Sequence, residues 1–156
     1  SMNSLTNELV TDDTGALLGW LDGNDRVKPG PLGCVGYCMS GQYITTVSAR
    51  FPHRIVAAAS LYGVRIVTDQ PDSPHLLVEN IKGELYYAFA EHDAGVPGHV
   101  IPDLQAALAK ADIRNVIKVF PGTHHGFAFP ERAVYETIAS EQTWTDMFAM
   151  WDRCLK

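Results

Sequence analysis

Leu32-Gly33-Cys34-Val35-Gly36-Tyr37-Cys38-Met39-Ser40-Gly41 is the stretch on which the reading of this chain turns. A short apolar run stops at a glycine. A reactive side chain follows two residues later, and small residues then open a helical pattern. By spacing, Gly36-x-Cys38-x-Ser40 is small-x-nucleophile-x-small, the form of a strand-to-helix nucleophile elbow with Cys in place of Ser. Such a turn needs small residues because side chains two positions either side of the nucleophile would collide. It lifts the sulfur clear of the sheet and aims backbone N–H groups at the helix start, Met39 foremost, towards a reacting oxygen. The plainer reading of a single Cys is a small buried hydrophobe, so the rest of the chain has to decide.

Upstream, residues 3–13 are mixed and polar and read as a weakly ordered lead-in. Asp13 or Thr14 then caps a short helix to about Asp22, with Ala16, Leu17, Leu18, Trp20 and Leu21 as its apolar side. Downstream of Cys38 a helix is expected to about Arg50, with Tyr43, Ile44 and Val47 buried. Ile55 to Leu61 is a continuous apolar run of strand length, as in a parallel strand covered on both faces. Ser73-Pro74 starts a short helix with a capping hydroxyl and a proline in its first turn, ending near Ile81. Glu84 to Ala90 is a third strand, Leu104, Ala107, Leu108 and Ala111 mark a helix, and Val116 to Phe120 is a fourth strand. A last helix carries Trp144, Met147, Phe148, Trp151 and Leu155 on one stripe, read as core packing.

Strand and helix alternate four times. The fold class is therefore α/β: a parallel sheet of about four strands, right-handed crossovers, and helices on both faces, in one domain over residues 1–156. Ligands of such sheets sit at the C-terminal ends of the strands. Cys38, Asp93 and His125 each fall just after such an end. A thiol needs a base to become a good nucleophile, and the base needs an orienting acceptor. His125 can be the base and Asp93 can hold its other ring nitrogen, in the chain order nucleophile, acid, base of α/β-hydrolases.

Composition narrows the partners. The chain has 156 residues, 46% hydrophobic and 19% charged, with a net charge of −6. No basic stripe is present to bind phosphate, which excludes nucleic acid. No apolar run approaches a membrane span. Three cysteines, Cys34, Cys38 and Cys154, are an odd number that suits a reducing compartment, so a cytoplasmic location is expected.

Gly-Tyr-Cys-Met-Ser-Gly at 36–41 resembles the elbow of the dienelactone hydrolase family, whose usual form is Gly-Tyr/Phe-Cys-x-Gly-Gly, with Ser40 as a departure. Tyr62-Gly63, Glu91-His92-Asp93-Ala94-Gly95-Val96-Pro97 and Pro121-Gly122-Thr123-His124-His125-Gly126-Phe127 are similar to later family segments in the same order. The spacing of Arg132, Tyr135, Glu141 and Trp144 fits as well, so the resemblance runs from residue 14 to residue 155. It implies hydrolysis of a small-molecule ester or lactone by Cys38, His125 and Asp93. The Met39 N–H would serve the oxyanion, and Tyr37, Tyr62, Phe127 and Arg132 would meet substrate. No metal and no organic cofactor is implied. Family members carry further N-terminal strands, which supply a second oxyanion N–H and a glutamate that helps activate the cysteine. This chain reads as starting at the helix before the elbow, so the strand at Leu32–Gly36 is expected at an exposed edge that pairs with a second copy as a homodimer. Members that process dienelactone have an arginine four residues after the histidine, where this chain has Phe129.

Several positions keep two readings. His124 competes with His125 for the base, and the Gly-Phe pair that follows favours His125. Asp93 is either the triad acid or a helix cap. Tyr62 lines the pocket or closes the sheet end. His92 and His99 read as solvated loop residues, and Cys34 as core rather than a metal ligand. Beside the hydrolase stand two alternatives: a binding module that keeps the triad without a complete oxyanion hole, and a thiol-based redox or metal module built on Cys34 and Cys38.

Overall fold

A computed structural model describes residues 4–156. The elements run α1 (Asn7–Asp22), β1 (Leu32–Tyr37), α2 (Ser40–Arg50), β2 (Ile55–Leu61), a 3₁₀ turn (Pro74–Asn80), β3 (Glu84–His92), α3 (Val100–Lys110), β4 (Asn115–His124) and α4 (Thr137–Cys154). The strands form one sheet in the order β1-β2-β3-β4, each parallel to the next. Each crossover joins neighbouring strands.

Period-two alternation divides the core into two layers. Leu85, Tyr87 and Phe89 of β3 face one way with Ala58, packing under Ile44 of α2 and Leu104 and Leu108 of α3. Tyr86, Ala88 and Ala90 face the other way with Ala57, Ala59 and Leu61, packing under Met147 and Met150 of α4. The alanines of β2 let helices approach the central strands closely on both faces. The expected α/β sheet with helices on both faces is the observed one.

Three local expectations are corrected. First, α1 starts at Asn7, so most of the expected lead-in over residues 3–13 is helix; residue 3 lies outside the described residues. Thr6 Oγ1 accepts from the Leu9 N–H (3.1 Å), Glu8 sits in the positive first turn, and Asn7 Nδ2 donates to the Asp72 carboxylate (3.1 Å). Capping and one tertiary bond thus replace the missing apolar stripe. Second, Ser73 does not cap the 3₁₀ turn; its Oγ accepts from the Thr68 N–H and bonds His75 Nδ1, both at 2.8 Å. Third, the aromatic stripe of α4 is only partly its buried face. Of that stripe Met147 is buried and Trp144 and Trp151 pack against the core, while the small residues Ala139, Ser140 and Thr143, with Met150, complete the face that seats on the sheet. Phe148 is 53% exposed, stacking on Trp144 (5.7 Å between ring centroids) and meeting Trp151 edge-on (5.6 Å) along the flank.

Two ionic clusters tie α4 to the sheet. Glu84, at the start of β3 and 5% exposed, accepts from Arg153 Nη2 (2.6 Å) and pairs with Arg114 Nε (3.2 Å). Asp146 accepts from Lys118 Nζ (2.6 Å), the Tyr86 hydroxyl (3.0 Å) and Gln142 Nε2 (2.9 Å). Burial alone would raise the Asp146 carboxyl, but these donors outweigh it and hold it below the usual carboxylate range. Among the described residues no helix is long and apolar enough to cross a membrane.

Asp146→Ala leaves the Tyr86 hydroxyl and Lys118 without their acceptor and is expected to cost about 1–3 kcal/mol at neutral pH, measured by urea unfolding. Because the folded-state carboxyl is depressed, the contribution is fully present above about pH 4, the ordinary Asp value, and is lost as pH falls below it. The gap between variant and parent should therefore narrow in acid.

Candidate active site

Cys38 follows β1 directly and has φ 53°, a left-handed conformation that a non-glycine residue rarely adopts. The turn is pinned from both sides. The Cys38 N–H donates to Leu61 O (3.1 Å), and Cys38 O accepts from the N–H groups of Gly41 (3.1 Å) and Val64 (3.0 Å). A Cβ at Gly36 would lie 2.5 Å from Ser40 O, and one at Gly41 would lie 2.4 Å from Gly63 Cα. The small residues of the elbow, and Gly63 after β2, are thus required by backbone contact. Met39 is the N-cap residue of α2, and its side chain makes no capping bond.

Asp93 follows β3 and is held by two bonds. Its Oδ1 accepts from the Gly95 N–H (2.9 Å), and its Oδ2 meets His125 Nδ1 at 2.6 Å. The carboxyl side chain is only 2% exposed, while the imidazole is 27% exposed. A carboxylate acceptor on Nδ1 fixes the proton there and leaves Nε2 as the free nitrogen. Asp93 does not cap α3, which starts at Val100 with His99 at the N-cap position. His124 ends β4 exposed, its ring 5.0 Å from the ring of exposed His92, so it is not the histidine that meets Asp93. The loop bearing His125 is tied down by Glu91, whose Oε2 accepts from the Gly122 N–H (2.7 Å).

Tyr62 stands between the two halves of the site. Its ring is 5.2 Å from His125, 5.9 Å from Tyr37 and 5.5 Å from Phe127. Its hydroxyl lies within electrostatic reach of Cys38, Tyr37 and Arg132. The structure therefore brings Asp93 and His125 into direct contact and relates Cys38 to them across Tyr62. Among the described residues no hydrogen bond joins Cys38 to His125. Two expected substrate contacts are enclosed. Phe127 is fully buried, wedged between Tyr62 and Phe120. Tyr62 is 2% exposed and closes the sheet end rather than lining an open pocket. Tyr37 is half-buried, and exposed Arg132 lies over Gly126, where a Cβ would be 2.7 Å from its Nη1.

Sequence reasoning missed the cleft beside the sulfur. A space of about 440 Å³ is bordered by Cys38, Gln42, Val64, Arg65, Thr68 and Asn7, among others. Residues 64–72 carry no periodic pattern, so nothing in them signals that they fold back over the elbow. Phe129 was noted only as a departure; it is 46% exposed and meets Tyr37 edge-on at 5.7 Å. Among the described residues no cluster of three or more His, Cys, Asp or Glu side chains is arranged to hold a metal ion.

The other thiols differ from Cys38 in surroundings. Cys34 packs into the core, and burial pushes its thiol up to about 12. Burial, and then the Glu84 carboxylate 3.7 Å away, raise the Cys154 thiol as well. Limiting iodoacetamide with mass mapping should therefore label Cys38 before Cys34 and Cys154. Faster labelling of Cys154 would contradict this ordering.

Comparison with known proteins shows the family and the fold. The model of the dienelactone hydrolase family matches residues 1–155. A carboxymethylenebutenolidase homologue of Synechocystis sp. is 29% identical over 150 residues, covering 94% of this chain and 60% of that protein. One from Aquifex aeolicus is 27% identical over 117 residues, covering 74% of this chain and 48% of that protein. The crystal structure of a dienelactone hydrolase homologue from Klebsiella pneumoniae superposes with a TM-score of 0.86 at 21% identity, over 97% of this chain and 63% of that one. The chain thus spans about half to two thirds of the length of these relatives.

Proposed function

Since the chain belongs to the dienelactone hydrolase family, we propose that it carries the reacting groups of a hydrolase for a small ester or lactone, with Cys38 as nucleophile, His125 as base and Asp93 as orienting acid. The observation that carries this reading is the 2.6 Å bond from Asp93 to His125 Nδ1, on the sheet end where Cys38 sits in a left-handed turn. His125 Nε2 takes the thiol proton as the sulfur attacks the carbonyl carbon. The Met39 N–H supports the oxyanion. The imidazolium then protonates the departing alkoxide, leaving a thioester on Cys38. Water, deprotonated by the same imidazole, releases the acid and restores the thiol.

The contact between sulfur and imidazole tightens when substrate is bound, as catalytic hydrogen bonds often do. Tyr37 and Arg132 are the substrate contacts, joined by Phe129. An exposed phenylalanine where dienelactone-processing members carry an arginine favours an apolar group on that side of the substrate. Three free thiols fit a cytoplasmic location.

A second reading, a binding module that keeps these residues without turnover, is favoured by one observation. Among the described residues no hydrogen bond joins Cys38 to His125, so the sulfur stands without the base that turnover requires. A p-nitrophenyl acetate assay on this chain separates the two. Hydrolysis abolished to background in both Cys38→Ala and His125→Ala is the expected result. A rate that survives either substitution contradicts the mechanism, and no rate in the parent chain supports the module.

We also propose that β1 pairs with a second copy. Among the described residues it is an edge strand without a charged residue, bordered by exposed Leu17 of α1, which lines one apolar hollow with Leu32 and Gly33, and a two-fold axis would pair it with itself. Light scattering at tens of micromolar should give the dimer mass; a clean monomer refutes the pairing.

A further inference from the structure

Two unexplained features meet in Tyr62. Its backbone is left-handed, at φ 39°, which a bulky aromatic residue adopts only under constraint from its surroundings. Its hydroxyl is buried without a hydrogen-bond partner among the described residues, although native proteins satisfy nearly all such groups. The ring cannot swing the hydroxyl out to water. It is fixed against His125, Phe127 and Tyr37, and the Tyr62 N–H is tied to Ala88 O at 2.6 Å. A phenol held in place with nothing to bond to, beside a reactive sulfur, points to a partner that exists only during reaction.

We propose that Tyr62 is a positioning residue for the nucleophile, whose hydroxyl donates to the Cys38 sulfur once the thiol has given up its proton. The inference rests on the reading of Cys38 as the nucleophile. The thiol proton passes to His125 Nε2, the sulfur keeps the electron pair, and a small rotation of the Cys38 side chain turns that pair towards the Tyr62 O–H. A neutral thiol is a weak acceptor and a thiolate a strong one, so the bond stabilises one protonation state only. The groups that face Tyr62 are Tyr37 from β1, Cys38 from the elbow, and Arg132 and His125 from the segment after β4, with Asp93 behind the imidazole. Burial first, then Tyr37, keeps the Tyr62 phenol above its ordinary range despite Arg132, so it remains an O–H donor wherever the thiol ionises.

The test is the pH dependence of Cys38 alkylation by iodoacetamide, followed on the Cys38 peptide by mass spectrometry. Tyr62→Phe removes one oxygen and keeps the ring. It should raise the midpoint by about one pH unit, a roughly tenfold slower reaction below the midpoint. An unmoved midpoint in folded Tyr62→Phe overturns the proposal, because a merely structural tyrosine would alter unfolding and not the thiol. Should Tyr62→Phe fail to fold, 3-fluorotyrosine placed at position 62 decides alone. Its more acidic phenol is a stronger donor and should lower the midpoint; no change overturns the proposal. A shifted midpoint in a chain that hydrolyses nothing sustains the inference and ends the hydrolase reading. Hydrolysis through Cys38 with an unmoved midpoint does the reverse.

Discussion

The end of the sheet that carries the candidate site depends on one backbone contact, between the first turn of α2 and the residue after Tyr62. A Cβ at Gly41 would stand 2.4 Å from Gly63 Cα, and one at Gly63 would stand 2.8 Å from Gly41 Cα. Only two glycines allow that approach. With it, the turn at Cys38 is clamped between β2 and the loop after it, and the Cys38 carbonyl accepts from both Gly41 and Val64. Without it, α2 would have to lift from the sheet, and the left-handed φ at Cys38 would have nothing to enforce it. The strain of the turn at Cys38 is thus maintained from the neighbouring strand and the loop after it as well as from within the elbow.

The two ends of the sheet have separate duties. At the strand starts, Glu84 gathers Arg114 and Arg153 and fastens the last turn of α4. Where the strands finish, Asp93 holds His125 and Glu91 holds the loop that bears it. Glu84 is buried while its arginines are exposed, so removing the arginines leaves a buried carboxylate uncompensated. The Glu84 cluster therefore acts as a fastener whose loss is felt as unfolding. The Asp93 pair is a fixture whose loss is felt as a misdirected imidazole.

Much of this was legible in the sequence, for physical reasons that differ by element. β2 could be read to the residue because a strand buried on both faces is an almost wholly apolar run, Ile55–Leu61, with Ser60 its one polar member. The elbow could be read because steric demand leaves only small residues at fixed offsets. His125 was separable from His124 by the Gly-Phe that follows it. The first turns of α1 were not legible, because their stability comes from Thr6 and from a bond to Asp72, 65 positions away in the chain. The buried face of α4 is only partly legible: Met147 follows the apolar stripe, but contact with the sheet also selects Ala139 and Thr143, which size and hydrophobicity do not single out. Burial of Phe127 and the orphaned hydroxyl of Tyr62 are products of assembly and leave no trace in any local pattern.

The order of strands in the sheet is the order of strands in the chain. Among the described residues every pairing is therefore made with the strand just completed. Domains begin to form from the N-terminal side during synthesis, and loop closure between near neighbours is entropically mild. A nascent chain can lay down this sheet by successive addition, each new strand templated on the last. The candidate site is completed in that sequence too. The turn at Cys38 forms as β1 and β2 pair, Asp93 arrives with β3, and His125 follows β4. Until β4 is laid, the growing chain presents Cys38 without the imidazole of His125.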